Sequence, residues 1–355
     1  MRALIINAHG GLDQVLYRED VAAPEITSPT DVRVRLAAAA LNHLDLFVVG
    51  GIPGVKITPS WVLGADGAGT IDAVGTAVTS VTPGDRVVIN PGISCRACAF
   101  CLEGEHSLCV KFGLLGEHRA GTFAEYVVVP APNVRGIPAG VSDVQAAAFT
   151  LATITAWRMV VTRAQVKAGE EVLIQGIGGG VAIAALQIAK ARGARVWVTS
   201  GSETKLAKAV ALGADETLNY ATMDVARTIR TRTNKRGVDV VIDSAGTTSW
   251  PQSLGALGKR GRLVTCGAST GAIVETDLRK LFWNQWTLMG STMGSDAEFE
   301  AIVAELAAGR LVPPVDSVFP LAEGRKAFER LQQKEQFGKV VLEIGEGRRA
   351  TGRGG

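Results

Sequence analysis

Gly176-Ile177-Gly178-Gly179-Gly180-Val181-Ala182 is the stretch on which the reading of this chain turns. The apolar run Val172-Leu173-Ile174-Gln175 precedes it, and Ala184-Ala185-Leu186-Gln187-Ile188-Ala189-Lys190 follows. Strand, glycine turn and apolar helix, in that order, open a βαβ unit able to hold a dinucleotide. Glycines there let the backbone turn tightly, bring its N–H groups to a pyrophosphate and pack the helix against the strand. Ala182 stands where glycine is commoner, and the spacing departs from G-x-G-x-x-G. Taken alone, the turn therefore also admits a plain packing role, and its surroundings have to decide.

Working outward, apolar strands alternate with helical patterns from Ala146 to about Leu288. Strands are expected at 172–175, 195–199, 216–219, 238–243 and 262–266, which implies a parallel sheet covered on both faces. Before this region the texture differs. Val32-Arg33-Val34-Arg35-Leu36 alternates with period two, and Gly67–Gly75, Asp85–Ile89 and Gly121–Val129 are further strand candidates bounded by Gly and Pro. Many short strands at close spacing predict a small β-barrel-like domain. Beyond residue 295 a helix over Ala297–Ala308 and another over 322–332 are expected, and Gly338–Ile344 reads as a last strand rejoining the N-terminal domain. The tail from Gly345 to Gly355 is rich in glycine and arginine and is expected to be disordered.

The 355 residues suit two domains, and 47% hydrophobic with 20% charged residues supports a large core. The net charge of +3 is small for this length and the charges are interspersed, which argues against a nucleic-acid or membrane surface. Met1–Ile6 reads as a first strand, too short for a signal peptide, and no apolar stretch reaches membrane-span length uninterrupted. A soluble cytoplasmic protein acting on a small molecule is the expectation.

Four of the five cysteines, Cys95, Cys98, Cys101 and Cys109, fall in one short loop. In a chain without a secretion signal such clustering favours metal over disulfides. Four thiolates close a tetrahedral zinc site and leave no position for water or substrate, so one structural zinc is expected. A redox pair is the alternative, and His106, inside the lobe, is expected at the surface.

A β-rich N-terminal domain, a four-cysteine lobe, a dinucleotide domain and a C-terminal return together resemble the medium-chain alcohol dehydrogenase superfamily, over residues 1 to about 344. Asn42-His43-Leu44-Asp45 followed by Gly50-Gly51, and Leu63-Gly64-Ala65-Asp66-Gly67-Ala68-Gly69, resemble its quinone oxidoreductase branch. The resemblance implies an α/β protein: a GroES-like catalytic domain over 1–150 with a zinc lobe at 92–112, a Rossmann domain over 151–292, and a return over 293–344. It also implies a homodimer or homotetramer, paired through an edge strand, here Trp286 to Met293.

The departures are as informative. Zinc alcohol dehydrogenases carry a catalytic cysteine where this chain has Asn42, histidine and glutamate where it has Ala65 and Asp66, and a second cysteine where it has Leu151. A zinc ion would be poorly held there, so the catalytic zinc is expected to be absent. A makeshift site from His43, Asp45 and Asp66 is the dissenting reading.

The cofactor is read at the end of the second strand, where a carboxylate would bind a ribose 2′-OH and repel a 2′-phosphate. Alignment puts Ser200 at that position, with Lys205 one helical turn on and Glu203 between them as a complication. Tyr220 matches the aromatic that the resemblance places beside the adenosine phosphate. Together they predict NADP(H). The resemblance also puts Thr155 near the nicotinamide carboxamide, and Ser244 and Gly267 end later strands that face the crevice.

An unactivated alcohol needs a metal or a base to become an alkoxide, whereas hydride addition to a quinone or an electron-poor C=C gives a delocalised anion that hydrogen bonds can stabilise. The expected activity is thus NADPH-dependent reduction of a quinone or an α,β-unsaturated carbonyl compound without a catalytic metal. Asn42 is expected to donate to the acceptor oxygen, Asp45 to orient the loop or a water, and His43 to reach a phosphate or the substrate; a purely structural loop is the alternative. Phe282, Trp283 and Trp286 are candidates for an apolar substrate wall or for core packing. The rival functions are a zinc-dependent alcohol dehydrogenase with altered ligands and a nucleotide-dependent RNA-binding protein that uses the arginine tail.

Overall fold

The computed structural model describes residues 1–345. Most of the tail expected to be disordered therefore lies outside the described residues. In the N-terminal half, β1 (Asp31–Ala40) turns Val32, Val34 and Leu36 inward and Arg33 and Arg35 outward. It pairs antiparallel with β2 (Asp66–Val74) and with Tyr126–Pro130, and β2 continues to Arg86–Ile89. The strand expected from Gly121 starts only at Tyr126, because Gly121, Thr122 and Phe123 cross over to bond the backbone of Val62, Gly64 and Leu63. Between β1 and β2 lies the short helix α1 (His43–Gly50), which Asn42 opens in a capping box with Asp45.

Helix α2 (Thr150–Trp157) leads into the second half. There β3 (Glu171–Ile174), α3 (Gly180–Ala191), β4 (Arg195–Ser200), α4 (Glu203–Ala211) and β5 (Glu216–Asn219) follow one another. Strands β6 (Val238–Asp243) and β7 (Leu257–Thr265), helix α5 (Leu278–Asn284) and strand β8 (Thr287–Gly290) complete it. The six strands form one parallel sheet in the order β5-β4-β3-β6-β7-β8. Val172, Leu173, Ile174, Val196, Val198, Val240 and Val241 are fully buried, as a sheet covered on both faces requires. The order reverses beside β3, so a crevice opens at the carboxyl ends of β3 and β6, where the glycine turn begins.

The last segment divides. Helix α6 (Asp296–Ala307) buries Phe299, Ile302 and Leu306 in the core shared with α2 and α3. Only β9 (Val315–Pro320) and β10 (Lys339–Glu343) rejoin the N-terminal sheet, where β10 lies antiparallel to β1. Part of that sheet joins the core of the parallel sheet, where Ala38, Ala40 and Ala146–Ala148 are small enough to let the layers approach, whereas Val32, Val34 and Leu36 belong to a separate core. Among the described residues no helix is long and apolar enough to cross a membrane.

Candidate active site

A cavity of about 540 Å³ runs between the two halves, walled by the glycine turn, the strand-end loops, α1 and β10. Gly176 (φ +69°) and Gly178 (φ +135°) adopt backbone that side chains rarely reach. Gly176, Gly179, Gly180 and Val181 line the cavity. Gly178 does not; its carbonyl instead accepts a hydrogen bond from Gly338 N at 2.9 Å, clasping the turn to the C-terminal return. The N-terminus of α3 opens onto the cavity, the arrangement that suits a pyrophosphate.

Gly180 meets a second demand. A Cβ there would lie 2.8 Å from the Ala152 Cβ and 3.0 Å from Lys339 Cδ, so only glycine lets the lysine stem pass. Lys339 is 4% exposed and reaches Asp66, which is fully buried. The Lys339 ammonium donates to Asn42 Oδ1 at 2.5 Å and Asp66 Oδ2 at 3.0 Å. Asp66 also accepts from Asn42 Nδ2 (2.9 Å), Thr150 Oγ1 (2.7 Å) and Leu151 N (2.7 Å). A buried ion pair is tolerable only when satisfied in this way.

This network revises the role expected of Asn42. Its amide hydrogens point to Asp66 and to the Ala40 carbonyl, so Asn42 lines the cavity with both donors engaged by the protein. Asp45, expected to orient the loop or a water, lies buried outside the cavity lining and accepts from Asn42 N at 2.7 Å, so what it touches is the loop; burial pushes its carboxyl up to about 7. His43 does line the cavity. Its pKa is lowered by burial and then by Lys334, Lys339 and Lys205, so it stands there as a neutral imidazole.

Thr155 lines the cavity and donates to the Leu151 carbonyl at 2.7 Å. At the far end, Ser200, Lys205 and Tyr220 come together. The Ser200 hydroxyl accepts from Ser202 N, which leaves its own proton free to donate, and the Tyr220 ring lies over Gly201. Lys205 donates to the Lys334 carbonyl at 2.5 Å, and its pKa is lowered by burial and by Arg330. Glu203 is exposed, and Asn219 Nδ2 donates to it at 2.5 Å. Ser244 and Gly267 complete the wall beyond β6 and β7, and the thiol of Cys266, beside them, is pushed up to about 12 by burial and then by Asp243.

Three aromatic candidates fall elsewhere. Phe282 and Trp283 are 67% and 76% exposed on α5, and Trp286 packs outside the cavity with its indole N–H on the Gly258 carbonyl. Lys339, Lys334 and Glu117 line the cavity without having been singled out as site residues, and Asp66, named only as a makeshift metal ligand, anchors it. The one usable signal was a lysine opening an otherwise apolar buried strand, Lys339-Val340-Val341-Leu342.

In the lobe, the sulfur atoms of Cys95, Cys98, Cys101 and Cys109 lie within 4.8 Å of one another. Among the described residues no other group of His, Cys, Asp or Glu is close enough to hold a metal, so the makeshift set of His43, Asp45 and Asp66 does not assemble. Backbone N–H groups of Val110 and Cys101 pull Cys98 down to about 6, and all four thiols are free. The donor set fits a closed tetrahedral zinc. His106 is not at the surface as expected; it lies 3.5 Å from Asp296 and accepts from the Asp296 N–H. Arg96 pairs with Asp296 and Glu105 with Arg158, so the lobe is strapped to the nucleotide half.

Residues 180–308 match the zinc-binding dehydrogenase family and residues 28–139 the alcohol dehydrogenase GroES-like domain. A zinc-type alcohol dehydrogenase-like protein of Schizosaccharomyces pombe is 34% identical over 351 residues, spanning 97% of this chain and 99% of that protein. The chain belongs to the medium-chain alcohol dehydrogenase superfamily. The quinone oxidoreductase of Homo sapiens is 29% identical to this chain over 349 residues, 96% of this chain and 97% of its own. A solved NAD-dependent alcohol dehydrogenase superposes with a TM-score of 0.92 at 43% identity, covering 97% of this chain and all of that one. As a member of this superfamily the protein is an oxidoreductase.

Proposed function

We propose that this dehydrogenase uses NADPH to reduce an α,β-unsaturated carbonyl compound or a quinone, with no metal in the cleft and one structural zinc in the Cys95–Cys109 lobe. The observation that carries the reading is the Lys339–Asp66–Asn42 network. An ammonium already neutralises the one carboxylate at the ligand positions, and Asn42 and Leu151 replace the thiolates a zinc would need. When bound, the cofactor supplies hydride. The chain's part is to hold the pyrophosphate at the α3 N-terminus, to orient the nicotinamide near Thr155, and to surround the developing anion with the field of Lys339.

The NADPH preference is supported by Ser200 where a carboxylate would exclude a 2′-phosphate, by Lys205 and Lys334 nearby, and by Glu203 being engaged with Asn219. The identity to an NAD-dependent alcohol dehydrogenase favours a second reading, NAD-linked alcohol oxidation on altered ligands. A cofactor-oxidation screen over quinones, enones, enals and enoyl thioesters with NADPH and NADH, and a metal count on the same sample, separates them. NADPH-driven reduction with one zinc per chain is expected. Alcohol oxidation with two metals per chain, or an NADH-favouring kcat/KM, overturns the reading or its cofactor half respectively.

A further inference from the structure

Reduction of an activated alkene takes a hydride and a proton, and the machinery described above leaves the proton unassigned. Among the described residues seven titratable side chains line the cavity, and Glu117 is the single carboxyl of that set. The others are His43, Lys205, Tyr220, Cys266, Lys334 and Lys339. Lys205, Lys334 and Tyr220 stand at the phosphate and adenosine end. Cys266 is held as a thiol up to about 12, His43 is kept neutral, and the Lys339 ammonium is engaged by Asn42 and Asp66.

Glu117 sits on a turn that is fixed in place. Gly116 N bonds the Arg119 carbonyl, His118 N bonds the Leu114 carbonyl, and the Gly116 carbonyl accepts from the Trp61 indole at 2.8 Å. The Gly116 backbone is packed against Gly64 so closely that a Cβ there would lie 2.7 Å from the Gly64 carbonyl oxygen. The Glu117 side chain is 12% exposed, and Leu44, Phe47, Leu114, Leu151 and Met293 supply apolar lining to the same cavity. Among the described residues no hydrogen bond reaches its carboxyl. The His118 imidazole lies 3.8 Å away and is itself 46% exposed.

We propose that Glu117 is the general acid of this cleft, giving its carboxyl proton to the α-carbon of an α,β-unsaturated carbonyl substrate. The assignment rests on the reductase reading. Hydride arrives at the β-carbon from the reduced cofactor, and the C=C electron pair moves toward the carbonyl to give an enolate. The enolate pair then forms the C–H bond at the α-carbon as the Glu117 O–H bond breaks, leaving a carboxylate and a saturated carbonyl product. Solvent at the cavity rim, beside His118, restores the proton.

Burial raises the Glu117 pKa and His118 opposes the rise, so protonated carboxyl persists to higher pH than in an exposed glutamate. The other titratable groups on the turn and on α1 opposite are Arg119, His43 and Asp45, with Lys339 and Asp66 beyond; none of these acts on Glu117 appreciably, and His118 alone does. The acid is competent below its pKa and is lost as pH rises through it.

The test uses the full-length enzyme, Glu117→Gln and Glu117→Asp, with an enone, an enal and an enoyl thioester as probes. Expected is a loss in kcat of about 10²–10³-fold for Glu117→Gln, partial recovery in Glu117→Asp, and cofactor affinity within about twofold of wild type by fluorescence titration. The limb of the kcat profile that falls with rising pH should vanish in Glu117→Gln. Infrared difference spectra of wild type against Glu117→Gln, without cofactor, should show a protonated-carboxyl band that titrates above the ordinary glutamate value of about 4.3. An active wild type with Glu117→Gln unchanged overturns the assignment and leaves the reductase reading standing. A band titrating at the ordinary value overturns the assignment whatever the turnover. A wild type inert on every alkene overturns both.

Discussion

The lobe and the cleft are the two places in this fold where a metal would be sought, and their side chains answer oppositely. The lobe gathers four thiols within 4.8 Å, with backbone N–H groups, that of Lys111 among them, favouring the thiolate and no lysine or arginine side chain hydrogen-bonded to any sulfur among the described residues. The cleft gathers Asp66, Asn42 and Leu151 at the ligand positions, and the one carboxylate there is met by the Lys339 ammonium. A cluster of anions without an internal cation needs an external one; a carboxylate with its own ammonium does not. On the proposed reading, a structural metal is kept apart from the reacting centre by the thiols of the lobe and by the lysine that meets Asp66 in the cleft.

The comparison breaks most visibly at the lobe. Cys101→Ser removes a buried ligand, and zinc should fall from one per chain to well below one. The stability loss should be on the order of 5 kcal/mol or more, below the roughly 10–16 kcal/mol of free zinc-folded peptides because packing also holds the lobe. The Arg96–Asp296 and Glu105–Arg158 straps start from this lobe, so protease cleavage near residues 96–105 should accelerate. Unchanged zinc content and melting temperature would show that the thiols are not a metal site.

The cleft gives the next largest effect. Lys339→Met leaves Asp66 buried with no countercharge, which should cost about 3–5 kcal/mol in urea unfolding. Adding Asp66→Asn should restore most of that loss, because the uncompensated charge is gone. If Lys339→Met instead gains a second zinc per chain with its stability intact, the ammonium was occupying a metal position and the contrast between the two regions becomes a competition. If stability and metal count both stay put, the pair is dispensable and the electrostatic account of the cleft fails.

How far the sequence reached follows from the distance over which its signals act. Apolar runs such as Val172-Leu173-Ile174 and Val238–Asp243 announce buried parallel strands locally, and the four cysteines are close in the chain, so the parallel sheet and the lobe were legible. The missing ligands at Asn42, Ala65 and Leu151 were legible through resemblance. Lys339 was not, because it stands 273 residues from Asp66 and only β10 pairing with β1 brings them together. The Asn42 amide donor that the sequence left free to act is taken by Asp66 and the Ala40 carbonyl, and Lys339 takes its oxygen. Phe282 and Trp283 failed for a related reason: a short aromatic helix has the same pattern whether it faces a cavity or solvent, and α5 faces solvent.

The smallest effect sharpens the comparison at the cleft's other end, where cations are also gathered but remain near the surface. Lys205 is bonded to the Lys334 carbonyl and lies beside Ser200 and Tyr220 on the cavity wall. If it meets a 2′-phosphate, Lys205→Ala should weaken NADPH binding about tenfold, equivalent to about 1.4 kcal/mol, and leave NADH within about twofold. Fluorescence titration with both cofactors at two salt concentrations decides the matter, since a phosphate contact near solvent weakens with ionic strength. Equal losses for NADPH and NADH would move Lys205 to the shared pyrophosphate and remove the chief support for NADPH. Lys339, buried and already paired within the protein, should show no such salt dependence, so the two lysines can be told apart by screening alone.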